Sequence, residues 1–188
     1  MRPPLRAASL RPFALVLAAL ALLAVSPLAV PARSAAAPAD TREMKVVQPQ
    51  DVHALIDANK GKVVFLNFFA TYCVPCHTEF PDIIKMAKKY QNAGVQVVEI
   101  SMNDNSDPSD KGAMLKWLGE TNPPFPVYIA SSLEDDFYKG VSPQWAKDGE
   151  GLPMTMIFDR DGKMVHYYQR ALTLAEMEQD VTPLLAAK

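Results

Sequence analysis

Val63 to Pro81 reads V-V-F-L-N-F-F-A-T-Y-C-V-P-C-H-T-E-F-P, and its character changes midway. Apart from Asn67, Val63 to Phe69 are β-branched, aromatic or otherwise apolar, the composition of a buried strand. Further on, Phe80, Ile83, Ile84, Ala87 and Tyr90 recur at helical spacing and share one face. Between strand and helix stands Cys73-Val74-Pro75-Cys76. The short Ala70-Thr71-Tyr72 turn puts Cys73 at the helix N-terminus, where unpaired backbone N–H groups and the macrodipole favour an anion. A thiol placed there has a lowered pKa, so more of it is thiolate. Pro75 falls in the first turn, where its missing N–H costs nothing. Cys76 follows one helical turn later on the same side, within reach of a disulfide to Cys73. Strand, exposed dithiol and helix in that order predict a redox site.

A CxxC pair has two plainer readings. One is half of a zinc site, which needs a second ligand pair, and the chain has only these 2 cysteines. The other is a structural disulfide, which here closes too small a loop to stabilise a fold much.

The segment resembles the thioredoxin superfamily, and C-x-x-C-x-x-E-F-P is similar to its TlpA/ResA branch of exported thiol–disulfide oxidoreductases. The likeness runs from about Asp51 to the C-terminus. Its second anchor is Leu152-Pro153-Met154-Thr155-Met156-Ile157-Phe158-Asp159, which resembles the family's cis-proline loop and following strand. The resemblance implies an α/β fold with a central mixed sheet flanked by helices, an inserted helix, and a cis Pro153 lying against the cysteines. It implies client contacts at Tyr72, Pro75, Leu152 and Pro153. Two positions depart from the pattern: Tyr72 stands where the family usually has Trp, and Asn67 where thioredoxin buries an aspartate. Asn67 cannot titrate, which makes Glu79 the nearest substitute acid. Glu79 lies one turn beyond Cys76, close enough to raise thiol pKa by charge repulsion or to relay a proton. Its plainer reading is a solvated first-turn glutamate favoured by the dipole.

The chain has 188 residues, 49% hydrophobic and 21% charged, suited to one globular domain plus an extra segment. That segment is the N-terminus: Arg2, Arg6 and Arg11 precede an apolar run from Phe13 to Val25, with small residues through Ala37. A basic region, an apolar region and an Ala-rich region in that order make an export signal, cut after Ala32 or near Ala36. The alternative is an uncleaved anchor, for which Phe13 to Val30 is barely long enough. Residues 1–36 are therefore read as signal or anchor, 37–50 as linker and 51–188 as the thioredoxin-like domain. Without the four arginines of the signal, 15 basic residues face 21 acidic ones, which argues against nucleic acid and anionic membrane surfaces as partners. In an oxidising compartment spare thiols are oxidised, so two cysteines kept in one CxxC point to exchange.

Along the chain, the pattern predicts a short strand at Met44–Val47 and a helix over 51–59 capped by Asp51. A helix from the CxxC to about Gln91 follows, kinked at Pro81, then a strand over 95–102. Asn103 to Asp110 is rich in carboxylates but lacks the glycine and terminal glutamate of an EF-hand loop. It reads as a loop in which Ser109 or Asp110 caps a helix over 111–119 that buries Met114, Leu115 and Leu118. A strand over 125–130 leads to a helical turn at 133–138. An irregular loop carries Trp145, which either contacts a client or packs the loop down. Strands over 154–159 and 163–169 form a hairpin. The last helix opens on the capping box Thr173-x-x-Glu176, turns Leu174, Met177 and Val181 to the sheet, and is limited by Pro183.

The chemistry implied is thiol–disulfide exchange without a cofactor. Cys73 attacks a client disulfide, and Cys76 then resolves the mixed disulfide. The resemblance implies a periplasmic location, a membrane thiol reductant of the DsbD/CcdA kind, and clients such as haem-binding cysteines of apocytochrome c or copper-site cysteines. Two rivals are a disulfide-donating oxidant and a copper or zinc carrier using Cys73, Cys76 and His77.

Overall fold

The computed structural model describes residues 44–142 and 151–187. The N-terminal apolar segment and Trp145 lie outside them. Along the described chain run β1 (Val46–Val47), α1 (Pro49–Ala58), β2 (Val63–Phe69) and α2 (Val74–Tyr90), which ends in a 3₁₀ turn at Gln91–Ala93. Then come β3 (Val95–Ser101), α3 (Pro108–Thr121), β4 (Val127–Ala130) and α4 (Asp135–Val141). The chain closes with β5 (Met154–Phe158), β6 (Met164–Tyr168) and α5 (Leu174–Ala186).

The six strands form one sheet in the order β1-β4-β3-β2-β5-β6. β2 pairs parallel with β3, β3 with β4, and β1 with β4, while β5 runs antiparallel to β2 and β6 antiparallel to β5. This is the mixed α/β sheet expected from the sequence. β2 is central and all seven of its residues are buried, which is why it reads as a nearly continuous apolar run, interrupted at Asn67, rather than an alternating one.

Alternation along β2 assigns the helices to faces. Phe69 meets Phe80 of α2 with ring centroids 5.2 Å apart, while Phe68 on the opposite face meets Tyr138 of α4 at 6.1 Å. Helix α2 therefore lies on the Phe65, Asn67 and Phe69 side and α4 on the other. Trp117 of α3 joins the first side, with its ring 5.4 Å from Phe80 and 6.2 Å from Phe69. α2 runs through Pro81 to Tyr90, and Gly94 follows it at φ 105°, a left-handed conformation that favours glycine.

Several local expectations change. Asp51 is not the cap of α1 but its third residue: Gln48 caps, Pro49 opens the helix, and Asp51 accepts the Gln48 N–H at 2.9 Å. α3 is capped by Asp107, whose carboxylate accepts the Ser109 N–H at 2.8 Å, with Pro108 at the first helical position. Asp110 instead accepts the Asp104 N–H at 2.8 Å and pins the loop before the helix. α3 buries Met114, Trp117 and Leu118, whereas Leu115 is only half-buried. The turn at 133–138 extends to a helix ending at Val141. Pro183 does not limit α5, which continues to Ala186. A proline gives up its own donor but still accepts, and its carbonyl takes the Ala187 N–H at 3.1 Å. The Thr173–Glu176 capping box is present. Among the described residues, no helix is long and apolar enough to cross a membrane.

Candidate redox site

β2 ends at Phe69, and Ala70-Thr71-Tyr72 carries the chain from the C-terminal end of the sheet into α2. Asn103, just past β3, fixes this turn: its Oδ1 accepts the Thr71 N–H at 3.0 Å and its Nδ2 donates to Thr71 Oγ1 at 2.6 Å. Cys73 is thereby set as the N-cap of α2, in extended backbone. Its sulfur accepts the Cys76 N–H at 3.3 Å, the capping role an oxygen usually fills. Cys73 and Cys76 are joined in a disulfide with Cα atoms 5.3 Å apart.

Cys73 is 8% exposed and Cys76 1%. Cys76 is the deeper of the two, but the pair is less open than the sequence suggested. What stands out to solvent is the rim, with Tyr72 63% exposed and Val74 and Pro75 exposed beside it. The Tyr72 hydroxyl donates to the Met102 carbonyl at 3.1 Å, which holds the ring over the β3 end of the sheet. On the other side, the Leu152–Pro153 bond is cis. Phe68 pairs with Met154, so Pro153 lies next to the end of β2 from which the CxxC turn departs.

His77 is committed elsewhere. Its Nε2 lies 2.8 Å from the Thr71 carbonyl, and its ring meets Trp117 edge-on with centroids 4.0 Å apart. That geometry draws the imidazole toward α3. His77, Trp117, Thr71, Tyr72, Asp110 and Glu120 line a cleft of about 400 Å³ between the CxxC turn and α3.

Glu79 is not a solvated first-turn residue: it is 2% exposed, beneath α2. Its Oε1 accepts the Leu172 N–H at 2.9 Å, and its Oε2 accepts from Asn67 Nδ2 at 3.2 Å. Burial pushes its pKa up to about 7, against the opposing pull of these two donors and of the Arg170 charge. Asn67 thus holds the buried Glu79 carboxyl through its side-chain amide. Its Nδ2 also donates to Thr155 Oγ1 of β5 at 2.9 Å.

Glu99 stands in no motif of the sequence. It lies mid-β3 opposite Asn67, wholly buried, with its pKa driven well above the carboxylate range by desolvation and then by the charge of Glu79. The signal was present in V-Q-V-V-E-I-S, an acid at an inward position of a buried strand.

Together these features define a class: a thioredoxin-like domain with a CxxC disulfide at the N-terminus of α2, a cis-proline alongside and a buried acid beneath. The chain belongs to the Redoxin family, which it matches over residues 32–181. It is 31% identical to the thiol-disulfide oxidoreductase ResA of Bacillus thuringiensis over 64% of this chain and 62% of that protein. It is 30% identical to ResA of Bacillus subtilis over 61% of this chain and 56% of that one. The match thus spans less than two thirds of these relatives' length. A thiol:disulfide interchange protein of the thioredoxin family from Chlorobium tepidum superposes with a TM-score of 0.57 at 22% identity, over 69% of this chain and 83% of that one. That likeness bears on the fold alone. The resemblance to the TlpA/ResA branch of the thioredoxin superfamily is borne out.

Proposed function

We propose that this protein is an exported thiol–disulfide oxidoreductase that reduces disulfides of client proteins. The observation that carries the reading is Cys73 as N-cap of α2, its sulfur accepting the Cys76 N–H, with Cys76 buried behind it and Glu79 one turn further on. In the reduced protein, the helix N-terminus stabilises the Cys73 thiolate. That thiolate attacks a client disulfide, forming a Cys73–client bond and expelling one client thiolate. Cys76 loses its proton to the Glu79 carboxylate, attacks the Cys73 sulfur and expels the second client thiolate. Two electrons pass to the client, and the Cys73–Cys76 disulfide is left. A base with pKa about 7 suits this step, since it is partly ionised at neutral pH and passes its proton on readily.

Client segments would lie across the exposed Tyr72–Val74–Pro75 rim and the Leu152–Pro153 backbone, in the manner of strand addition. An external dithiol must recharge the pair, and a membrane reductant of the DsbD/CcdA kind fits that need. Export rests on the N-terminal pattern of arginines, apolar run and small residues. It places the protein in an oxidising compartment, where a dithiol needs such a supply. Clients with paired cysteines awaiting haem or copper are the class that similarity to ResA proteins suggests.

The test is single-turnover reduction of a disulfide peptide by the prereduced protein. Wild type should oxidise stoichiometrically, Cys73→Ser should be inert, and Cys76→Ser should stop at a mixed disulfide. Trapping through Cys76 instead would reverse the assigned roles.

A further inference from the structure

The buried layer between the sheet and α2 holds a second carboxyl that the exchange steps above do not use. Glu99 on β3 is the register partner of Asn67 on β2, and strand alternation turns both toward α2. Glu99 is 0% exposed, and among the described residues neither of its carboxyl oxygens has a hydrogen-bond partner. The Oδ1 of Asn67 is buried and, among the same residues, unpartnered as well. Both amide hydrogens of Asn67, in contrast, have acceptors, in Thr155 Oγ1 at 2.9 Å and Glu79 Oε2 at 3.2 Å. An ionised carboxylate without donors is among the costliest groups to place in a protein interior. These neighbouring acceptors lack one hydrogen between them, and a neutral carboxylic acid carries it.

We infer that Glu99 is kept as the neutral acid and donates its O–H to Asn67 Oδ1, so that the Asn67 amide is locked with its NH₂ toward Glu79. Glu99 is then a positioning residue that acts on the site through Asn67. Turned over, the amide would set Oδ1 against the Glu79 carboxylate, acceptor against acceptor. The inference rests on the reading of Glu79 as proton acceptor for Cys76, and it names what fixes that acceptor's partner.

The electrostatics of the layer agree. Glu79 has the Leu172 and Asn67 donors, and Arg170 favours its charge while Asp82 opposes it. Glu99 has no such donors, and Glu79 is the titratable group whose charge acts on it. Thr155 of β5 and Val127 of β4, the other neighbours in the strand row, are uncharged. Cys73 and Cys76, at the start of the same helix, are tied in the disulfide. The first negative charge therefore settles on Glu79 and holds Glu99 protonated.

The experiment is a pH titration of the glutamate side-chain carboxyl carbons by ¹³C NMR on the oxidised full chain, with signals assigned through Glu79→Gln and Glu99→Gln. In the wild type, the Glu99 carboxyl should keep its protonated shift through the pH at which Glu79 turns over. Glu99→Gln retains a donor and should leave the Glu79 midpoint in place. Glu99→Val removes the donor, frees the amide, and should raise that midpoint by about one pH unit, the worth of a hydrogen bond to a charged carboxylate. The inference is overturned if Glu99 titrates before Glu79, if Glu99→Gln lowers the Glu79 midpoint as loss of a negative neighbour would, or if Glu99→Val leaves it unmoved. Should Glu99→Val not fold, the wild-type and Glu99→Gln titrations still decide. Because the readout is a carboxyl shift rather than turnover, normal exchange by Glu79→Gln would overturn the proton-acceptor reading without touching this result.

Discussion

Replacing Glu79 by Gln should change how stability depends on pH. In the folded protein, burial raises the Glu79 pKa from an ordinary 4.5 to about 7. A carboxyl with a raised folded pKa binds its proton more tightly in the native state than in the unfolded chain, so stability falls as pH rises between the two values. The loss begins near the ordinary value and is complete a little above pH 7. Two and a half units correspond to about 3 kcal/mol. The Gln variant cannot ionise and escapes this loss. Its Oε1 can still accept the Leu172 N–H, but its amide meets Asn67 Nδ2 as donor against donor, which costs about 1 kcal/mol at every pH. Glu79→Gln should therefore be about 1 kcal/mol less stable than wild type at pH 4 and about 2 kcal/mol more stable at pH 8. Guanidinium unfolding of the oxidised protein at pH 4, 6 and 8 reads this directly. If wild type and variant differed by the same amount at all three pH values, Glu79 would not carry the raised pKa, and its fitness as a base near neutrality would fall with it.

Four further outcomes follow from the structure. Alkylation of the reduced protein near neutral pH should modify Cys73 first, and Glu79→Gln should alter the pH dependence of exchange; preferential labelling of Cys76 would contradict the assignment of nucleophile. Trp117→Ala removes a ring packed on Phe69, Phe80 and His77 and should cost about 3 kcal/mol in denaturant unfolding. A loss below about 1 kcal/mol would mean that the α3–α2 contact is not part of the core. Asp107→Ala should cost about 1 kcal/mol by removing the cap of α3, more than Ser109→Ala; the reverse ranking would restore the cap to Ser109.

The parts legible in the sequence are those governed by local rules. Val63–Phe69 is the central strand because an apolar run broken only at Asn67 and bounded by turns has few other uses. Cys73 lies at the helix start because strand, short turn and amphipathic helix leave no other place for it. Thr173-x-x-Glu176 is a capping box because both of its hydrogen bonds are local. Burial of Glu79 was not legible in the same way. Its partners are Asn67 on β2 and the Leu172 backbone, 12 and 93 residues away, and only the folded sheet brings them together. Glu99 was passed over because a run such as Val95 to Ser101 reads as buried on its apolar majority, and one acid does not change the pattern. The cap of α3 was misplaced because Asp107, Ser109 and Asp110 are all competent caps in three-residue reach, and Pro108 settles the choice. Trp117 went unread because α3 has a weak apolar stripe, its wide ring covering α2 from a position at the stripe's margin.

The direction of electron flow is the central claim, and the reduction potential of the Cys73–Cys76 couple tests it most directly. Stabilising the Cys73 thiolate at the helix N-terminus favours the reduced form and pulls toward an oxidant. An anionic Glu79 below the pair opposes that stabilisation. Equilibration of the purified domain with glutathione buffers at pH 7, with the thiol fraction read by alkylation and mass, gives the value. A reductant requires a potential near that of thioredoxin, about −270 mV, and a value near that of DsbA, about −120 mV, would contradict it and make the protein a donor of disulfides.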